Sequence, residues 1–220
     1  MLEYLNEIDS AALLAINGTY TAFQDFFWWM TSALWSSTLF VLALIWVLMH
    51  KNRRYALLVF AMLVLAFLIA DQVSAGLIKN LVGRLRPTRD PSLGPLVHIV
   101  NGYRGGMYGF VSSHAANSFA ASVFISLVMR RRLVTLVMIT WACLQCYGRM
   151  YLGVHYPGDI LGGTVLGILT GWAVYRLMLW VQRRYRIPNG YFTATDAAVM
   201  ASAFTITVMS FLLIALYQAL

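Results

Sequence analysis

The stretch that decides the fold is residues 197–220, which read AAVMASAFTITVMSFLLIALYQAL and contain no charged residue. A helix that crosses a lipid bilayer needs about 20 largely apolar residues in succession. Residues 197–220 meet that requirement. The sequence therefore predicts a membrane protein, and it directs attention to the other apolar stretches of similar size.

Five further stretches are free of charge or nearly so, and Asp71, Arg149 and Arg176 are the charged residues inside them. Overall, 60% of the residues are hydrophobic and 11% are charged, with a mean hydropathy of +0.71, whereas soluble domains carry about 25% charged residues. We predict an all-α polytopic membrane protein, folded as one membrane-embedded domain over residues 1–220. Its predicted six transmembrane helices cover residues 26–49, 55–78, 110–129, 133–152, 160–181 and 197–220.

Residues 1–20 form a different kind of segment. Apolar residues such as Leu13 and Ile16 recur every three to four positions, and acidic residues such as Glu7 and Asp9 occupy the other side. This pattern predicts an amphipathic helix that lies in the membrane interface and ends at Asn17-Gly18. Its acidic side chains suit the outer face better than an anionic cytoplasmic leaflet.

The net charge of +8, from 16 basic and 8 acidic residues, is explained by topology. Three basic clusters each follow an odd-numbered predicted span, so all three lie on one side of the membrane. By the positive-inside rule that side is cytoplasmic, and this excludes nucleic acid as the reason for the charge. We predict a multi-pass protein of a bacterial inner membrane. The clusters are Lys51, Arg53 and Arg54; Arg130, Arg131 and Arg132; and Arg176, Arg183, Arg184 and Arg186.

The opposite, periplasmic side also carries basic residues, which the positive-inside rule does not explain. Arginine and lysine donors gathered on one face match a multiply charged oxyanion such as phosphate. They occur in three groups: Lys79-x6-Arg86-Pro87, then Ser112-Ser113-His114, then Arg149-x5-His155-x3-Asp159. A phosphate-binding site is the interpretation that these groups favour.

This arrangement resembles the signature of the type 2 phosphatidic acid phosphatase (PAP2) family, which reads K-x6-RP, PSGH and SR-x5-H-x3-D. The resemblance covers about residues 55–180. Three positions depart from the family pattern: Val111 replaces its proline, Ser113 its glycine and Gly148 its serine.

The resemblance implies a role for each matched residue. His155 would attack phosphorus and form a phosphohistidine, Asp159 would raise its nucleophilicity, and His114 would protonate the departing oxygen. The phosphate would be held by Lys79, Arg86, Ser112, Ser113 and Arg149. With so many fixed cations, we expect the reaction to need no metal and no cofactor.

The resemblance also suggests the substrate. A site at the periplasmic membrane surface suits a lipid whose phosphate lies at headgroup depth, so the expected partners are membrane lipids and a phospholipid or polyprenyl (pyro)phosphate. Compact bacterial members often cleave undecaprenyl pyrophosphate to the monophosphate, which is the leading expectation. Alternatives are a lipid A 1- or 4′-phosphatase, a phosphatidylglycerophosphate or phosphatidate phosphatase and, from another class, a non-enzymatic lipid transporter. The sequence gives no indication of oligomeric state. Asp71 is costly at its depth unless paired, so it is expected to form a salt bridge with a loop arginine or lysine rather than to act in catalysis. Arg84, Arg89 and Arg104 are expected to be structural or to steer the substrate.

Overall fold

The structure is a computed structural model that describes residues 2–220, without the side chains of Leu2, Glu3, Leu5 and Leu34. The described chain is helical apart from loops and an isolated antiparallel bridge between Leu85 and Tyr108. The prediction of an all-α membrane fold is therefore confirmed. The helices are α1 (Leu2–Asn17), α2 (Ala22–Ser32), α3 (Thr38–Met49), α4 (Arg53–Asp71), α5 (Lys79–Val82), α6 (Ser113–Met129), α7 (Arg132–Tyr151), α8 (Pro157–Arg184) and α9 (Ala194–Ala219).

Four helical segments within residues 2–220 are long and apolar enough to cross a membrane. Three of them are α7, α8 and α9. The fourth, Arg53–Val82, joins α4 to α5 through a π-helical segment, Gln72–Ile78. In this segment the N–H of Lys79 donates to the carbonyl of Ser74, five residues earlier, whereas an α-helix uses the fourth residue. The π segment therefore widens the helix just before the first group of predicted site residues.

The predicted count of six spans is not confirmed. The stretch 26–49 is broken at Ala33, whose ψ of 145° is extended, and the helices on either side meet at 75°. Counting this bent pair as one span gives five. The remaining stretch, 110–129, forms a helix only from Ser113, because Ser112 caps its start. At 17 residues, α6 is at the lower end of the length that crosses a bilayer.

Small residues bring α6 and α8 together. A Cβ atom added at Gly163, Gly167 or Gly171 of α8 would overlap a backbone carbonyl oxygen of α6, at Ser112, Ala116 and Ala120 respectively. Close approach of backbones through glycine and alanine is the usual way in which transmembrane helices associate. It fixes the first turn of α6 beside the first turn of α8, and both turns carry predicted site residues.

This packing predicts a loss of stability on adding a methyl group. Gly167→Ala should lower the free energy of unfolding by about 1–3 kcal/mol, the usual cost of overpacking. The apparent melting temperature of the purified protein in detergent measures the effect. Gly106→Ala is the matched control, since a Cβ there meets no atom within 4 Å. Equal melting temperatures for the two variants would contradict the close helix approach.

The amphipathic helix α1 docks on the protein through part of its apolar side. Leu13 is fully buried in a cluster with Leu93, Val97 and Tyr156, which belong to the long loop after α5 and to the start of α8. Asn17, also fully buried, donates to the carbonyls of His98 and Tyr151 at 2.9 and 2.6 Å. The predicted helix is present, but this part of its apolar side faces the loops above the bundle. Its position in the membrane interface stays a prediction.

The loop between α5 and α6 folds over the same end of the bundle. Gly83 ends α5 in the left-handed region, with φ of 63°. Two exposed arginines then hold the loop by donating to backbone carbonyls: Arg89 to Gly105 at 3.1 Å and Arg104 to Thr88 at 3.1 Å. These contacts give Arg89 and Arg104 a structural role. This arrangement of the loop places Arg86 near the other predicted site residues.

Candidate active site

All eight predicted site residues come from elements that meet at one end of the bundle. Lys79 starts α5, and Arg86 follows in the loop. The Ser112-Ser113-His114 group begins α6, Arg149 lies in the last turn of α7, His155 lies in the turn before α8, and Asp159 is in the first turn of α8. The long-range electrostatic neighbours of His114 are Arg149, His155, Arg86 and Lys79. The three sequence groups therefore form one cluster in space.

His155 and Asp159 are paired across the start of α8. His155 Nδ1 lies 3.3 Å from Asp159 Oδ2, and the two side chains are 1% and 0% exposed. The same carboxylate oxygen accepts the backbone N–H of Tyr156 at 3.1 Å, in a capping box that closes the helix start. The cap fixes the carboxylate, so Nδ1 is occupied and the lone pair of Nε2 is left for chemistry when Nδ1 carries the proton.

The surroundings of His155 disfavour a charged ring. Burial, helped by the positive charges of Arg86, Arg149 and Lys79, holds the pKa of His155 well below its usual range. These surroundings therefore favour the neutral imidazole over the imidazolium. A neutral imidazole is the form that attacks an electrophile.

Two arginines have buried guanidinium groups that are only partly hydrogen-bonded within the described residues. Arg86 and Arg149 are 8% and 3% exposed. Arg86 Nε donates to the carbonyl of Tyr108 at 3.1 Å, and Arg149 Nη2 to the hydroxyl of Tyr103 at 2.8 Å. Among residues 2–220, Arg86 Nη1 and Arg149 Nε have no hydrogen-bond acceptor although both are buried.

Unmet buried donors are costly, and burial also lowers the pKa of the Arg86 guanidinium from its usual value. An anion between the two arginines would accept from the unmet donors and would stabilise the charge of the buried Arg86 guanidinium. The site is therefore suited to a phosphate group.

Lys79 is held by serines. Its Nζ donates to Ser113 Oγ at 2.9 Å, and Ser74 Oγ donates to the same oxygen at 2.9 Å. Ser113, which stands where the family has glycine, thus links the π segment to the start of α6. Ser112 is fully buried, and its hydroxyl caps α6 by accepting from the N–H of Ala115 at 3.4 Å. Its contact with a bound phosphate stays a prediction.

The other two departures from the family pattern are explained by packing. A Cβ at position 148 would lie 2.6 Å from Ser32 Oγ and 3.5 Å from the Trp28 ring, so glycine there makes room for α2. Val111 is buried, and a Cβ at Gly162 would lie 2.6 Å from its side chain. Neither change removes a side chain from the cluster around His155.

His114 is half-buried, unlike His155. It sits one residue into α6, beside the cations that surround His155. No side-chain hydrogen bond constrains its ring in the described part of the chain. This position leaves His114 available to a group entering from outside.

Sequence reasoning missed four residues that contact this cluster. Arg84 donates to Asp159 Oδ1 at 3.1 Å and to Asp9 Oδ2 at 2.7 Å, Tyr103 accepts from Arg149, and Ser74 donates to Ser113. The surplus of basic residues in the loop was a signal for Arg84. Nothing in the sequence pointed to Asp9, because its contacts are 75 and 149 residues away in the chain.

Comparison with known proteins identifies the family. Residues 54–183 match the PAP2 superfamily. A lipid A 4′-phosphatase of Bacteroides thetaiotaomicron is 37% identical over 80% of this chain and 79% of its own length. A second lipid A 4′-phosphatase, of Porphyromonas gingivalis, is 32% identical over 84% and 78% respectively. Undecaprenyl-diphosphatase BcrC of Bacillus subtilis is 31% identical over only 30% of this chain and 34% of its own.

Two crystal structures share the fold. Aquifex aeolicus LpxE superposes with a TM-score of 0.62 at 22% identity, covering 76% of this chain and 93% of the other. A transmembrane PAP2-type phosphatidylglycerolphosphate phosphatase of Bacillus subtilis gives 0.63 at 21%, covering 82% and 89%. At this level of identity the likeness concerns the fold.

Proposed function

Since the chain belongs to the PAP2 superfamily and is a membrane lipid phosphatase of that type, we propose that it removes the 4′-phosphate of lipid A. The observation that carries this proposal is the alignment of two lipid A 4′-phosphatases along about four fifths of the chain. The sequence-based order of substrates is thereby reversed. Undecaprenyl pyrophosphate, the leading expectation, is supported by a match to less than a third of the chain.

The proposed reaction has two steps. In the first, His155 Nε2 attacks phosphorus, the P–O bond to the sugar breaks, and His114 gives its proton to the departing sugar oxygen. In the second, His114 takes a proton from water, the resulting hydroxide attacks phosphorus, and the bond to Nε2 breaks to release phosphate. Asp159 holds the Nδ1–H of His155 throughout and stabilises the positive charge that develops on the ring.

The cations stabilise the transferring group. Within the described residues, Arg86 and Arg149 each have a buried donor without a partner. Such preorganised donors stabilise the charge that builds up on the nonbridging oxygens. Lys79, already beside Ser113, would bind a third position on the phosphate. The first backbone N–H groups of α6 point out of the helix start, where they favour an anion.

We also propose that the site faces the periplasm from the inner membrane. The ten basic residues of the three clusters, outside the site, mark the opposite end as cytoplasmic by the positive-inside rule. The lipid A acyl chains would remain in the bilayer while the phosphorylated sugar enters the cluster at the membrane surface.

The experiment is a phosphate-release assay on a panel of pure lipids in detergent. It compares bis-phosphorylated lipid A, undecaprenyl pyrophosphate, phosphatidylglycerophosphate and phosphatidate at equal concentration. We expect lipid A to give the highest kcat/KM, with fragment mass spectra that show loss of the 4′-phosphate. A higher value for undecaprenyl pyrophosphate, or loss of the 1-phosphate, would overturn the proposal.

Activity should survive removal of divalent metals, because Lys79, Arg86 and Arg149 supply the positive charge that a metal would otherwise provide. Initial rates before and after dialysis against excess EDTA test this, and we expect a change of less than about twofold. A loss of activity that added Mg²⁺ or Zn²⁺ restores would contradict the metal-free reaction. A metal-dependent phosphatase assayed in parallel serves as the control for chelation.

A further inference from the structure

The amphipathic helix α1 reaches the back of the His155–Asp159 pair. The carboxylate of Asp9 accepts from Arg84 Nη2 at 2.7 Å and from the backbone N–H of Gly158 at 2.7 Å. Gly158 lies in the first turn of α8, directly before Asp159. A single side chain of α1 therefore contacts both the helix that carries Asp159 and the arginine bound to it.

Arg84 connects Asp9 to the catalytic pair. Its Nη1 donates to Asp159 Oδ1 at 3.1 Å, while the other oxygen of Asp159 faces His155 Nδ1 at 3.3 Å. The guanidinium also lies over the Tyr156 ring, 4.0 Å from its centroid. Contacts therefore run without interruption from Asp9 through Arg84 and Asp159 to His155.

Asp159 depends on Arg84 for charge pairing, and Arg84 depends on Asp9 for its position. The Asp159 carboxylate is fully buried, and a buried charge is stable only when it is paired. Within the described residues, Arg84 is its one ion-pair partner apart from His155. Arg84 itself keeps 22% of its side chain exposed, so water competes for its guanidinium. The second ion pair, with Asp9, holds that guanidinium over Tyr156 and toward Asp159.

We propose that Asp9 and Arg84 are positioning residues of the phosphatase, and that α1 is the element that keeps Asp159 aimed at His155. The inference rests on the phosphatase activity, but it is independent of which lipid is hydrolysed. Neither side chain touches the nucleophile or the partnerless donors of Arg86 and Arg149. Their loss should therefore lower kcat and leave KM unchanged.

The variants distinguish the loss of a charge from the loss of a packing contact. Asp9→Asn keeps an oxygen that accepts from the N–H of Gly158 and removes only the charge that pairs with Arg84. Arg84→Gln removes the other charge, and Arg84→Lys restores it without the two-pronged geometry. Glu7→Gln is the matched control, because Glu7 lies on the same helix, is exposed and makes no salt bridge among the described residues.

Rates are measured on the lipid phosphate that the wild type hydrolyses fastest in the panel above. Charged hydrogen bonds of this kind affect rates by about 10- to 100-fold, and we expect kcat to fall by that factor in Arg84→Gln. The kcat of Asp9→Asn should fall by about threefold to tenfold on the same scale, since Arg84 itself remains. Arg84→Lys should recover part of the loss, and Glu7→Gln should match the wild type.

The double variant Asp9→Asn/Arg84→Gln completes the test. Its kcat should equal that of Arg84→Gln, because Asp9→Asn keeps an oxygen for the N–H of Gly158 and removes only the charge that pairs with Arg84. Gel filtration and melting temperature identify misfolded variants. If Arg84→Gln misfolds, the comparison of kcat between Asp9→Asn and Glu7→Gln tests the inference. Wild-type kcat in Asp9→Asn, or a rise in KM alone, would overturn the inference. A wild type that is inactive on every lipid would instead refute the proposed function.

Discussion

Replacing His155 with alanine is expected to reduce phosphate release by about 10⁴-fold or more, the scale on which loss of a nucleophile acts. The imidazole is buried and paired with Asp159, and it has Arg86, Arg149 and Lys79 as cationic neighbours. Among the described residues of the cluster, His155 is the imidazole that is paired with a carboxylate. The remaining cations would still bind the phosphate, so the variant should retain affinity for the lipid.

Two measurements check this result. Initial rates give the loss in kcat, and brief incubation with lipid labelled with ³²P at the scissile phosphate, followed by alkaline gel electrophoresis, traps the phosphoenzyme. The wild type should carry an acid-labile label that His155→Ala lacks. His50→Ala is the control, since His50 is exposed and contacts the Trp46 carbonyl at the other end of the molecule. A labelled His155→Ala protein would place the nucleophile elsewhere.

Replacing His114 with alanine is expected to lower kcat on a lipid phosphate by about 10²–10⁴-fold, the usual contribution of general acid catalysis. The sugar alkoxide that leaves from lipid A is a strong base and needs a proton as the P–O bond breaks. His114 is half-buried and lies beside Arg149, Arg86 and Lys79, where the proposed reaction places the departing oxygen. The defect should therefore depend on the leaving group.

An activated aryl phosphate provides the diagnostic comparison, because a phenolate with an electron-withdrawing nitro group leaves without a proton. We expect His114→Ala to approach the wild-type rate of phosphoenzyme formation on 4-nitrophenyl phosphate, while His155→Ala stays inactive on both substrates. The burst of nitrophenol measures this first step. An equal defect of His114→Ala on the lipid and the aryl ester would show that His114 acts in another way.

The eight residues of the three motifs could be predicted from the sequence to lie in the candidate site, because the spacing inside each motif is local. Arg149 and His155, for example, are separated by one helix end and one turn, and His155 and Asp159 by one helix start. Conversely, Asp9 could not be predicted, because a contact between α1 and α8 depends on how the loops fold over the bundle. The bend at Ala33 could not be predicted either, because hydropathy measures how apolar a stretch is and not the direction in which its helix runs.

The substrate was the weakest part of the sequence-based prediction, for a chemical reason. The group that Lys79, Arg86, Arg149 and His155 are proposed to recognise is a phosphoryl group, which is common to lipid A, undecaprenyl pyrophosphate and phosphatidate. Discrimination has to come from side chains around the rest of the lipid, which the three motifs do not include. The proposed substrate therefore rests on similarity along most of the chain and not on the motifs.

The π-helical segment before Lys79 has a consequence for how the first motif is oriented. Each residue of an α-helix is rotated by about 100° from the one before it, so one additional residue in a widened turn changes the phase of everything that follows. The direction of the Lys79 side chain is therefore independent of the direction of the α4 face that packs in the bundle. Because Gln72–Ile78 precedes the motif, the spacing from Lys79 to Arg86 is untouched. The π segment thereby sets the direction of the Lys79 side chain, which donates to Ser113 at the start of α6.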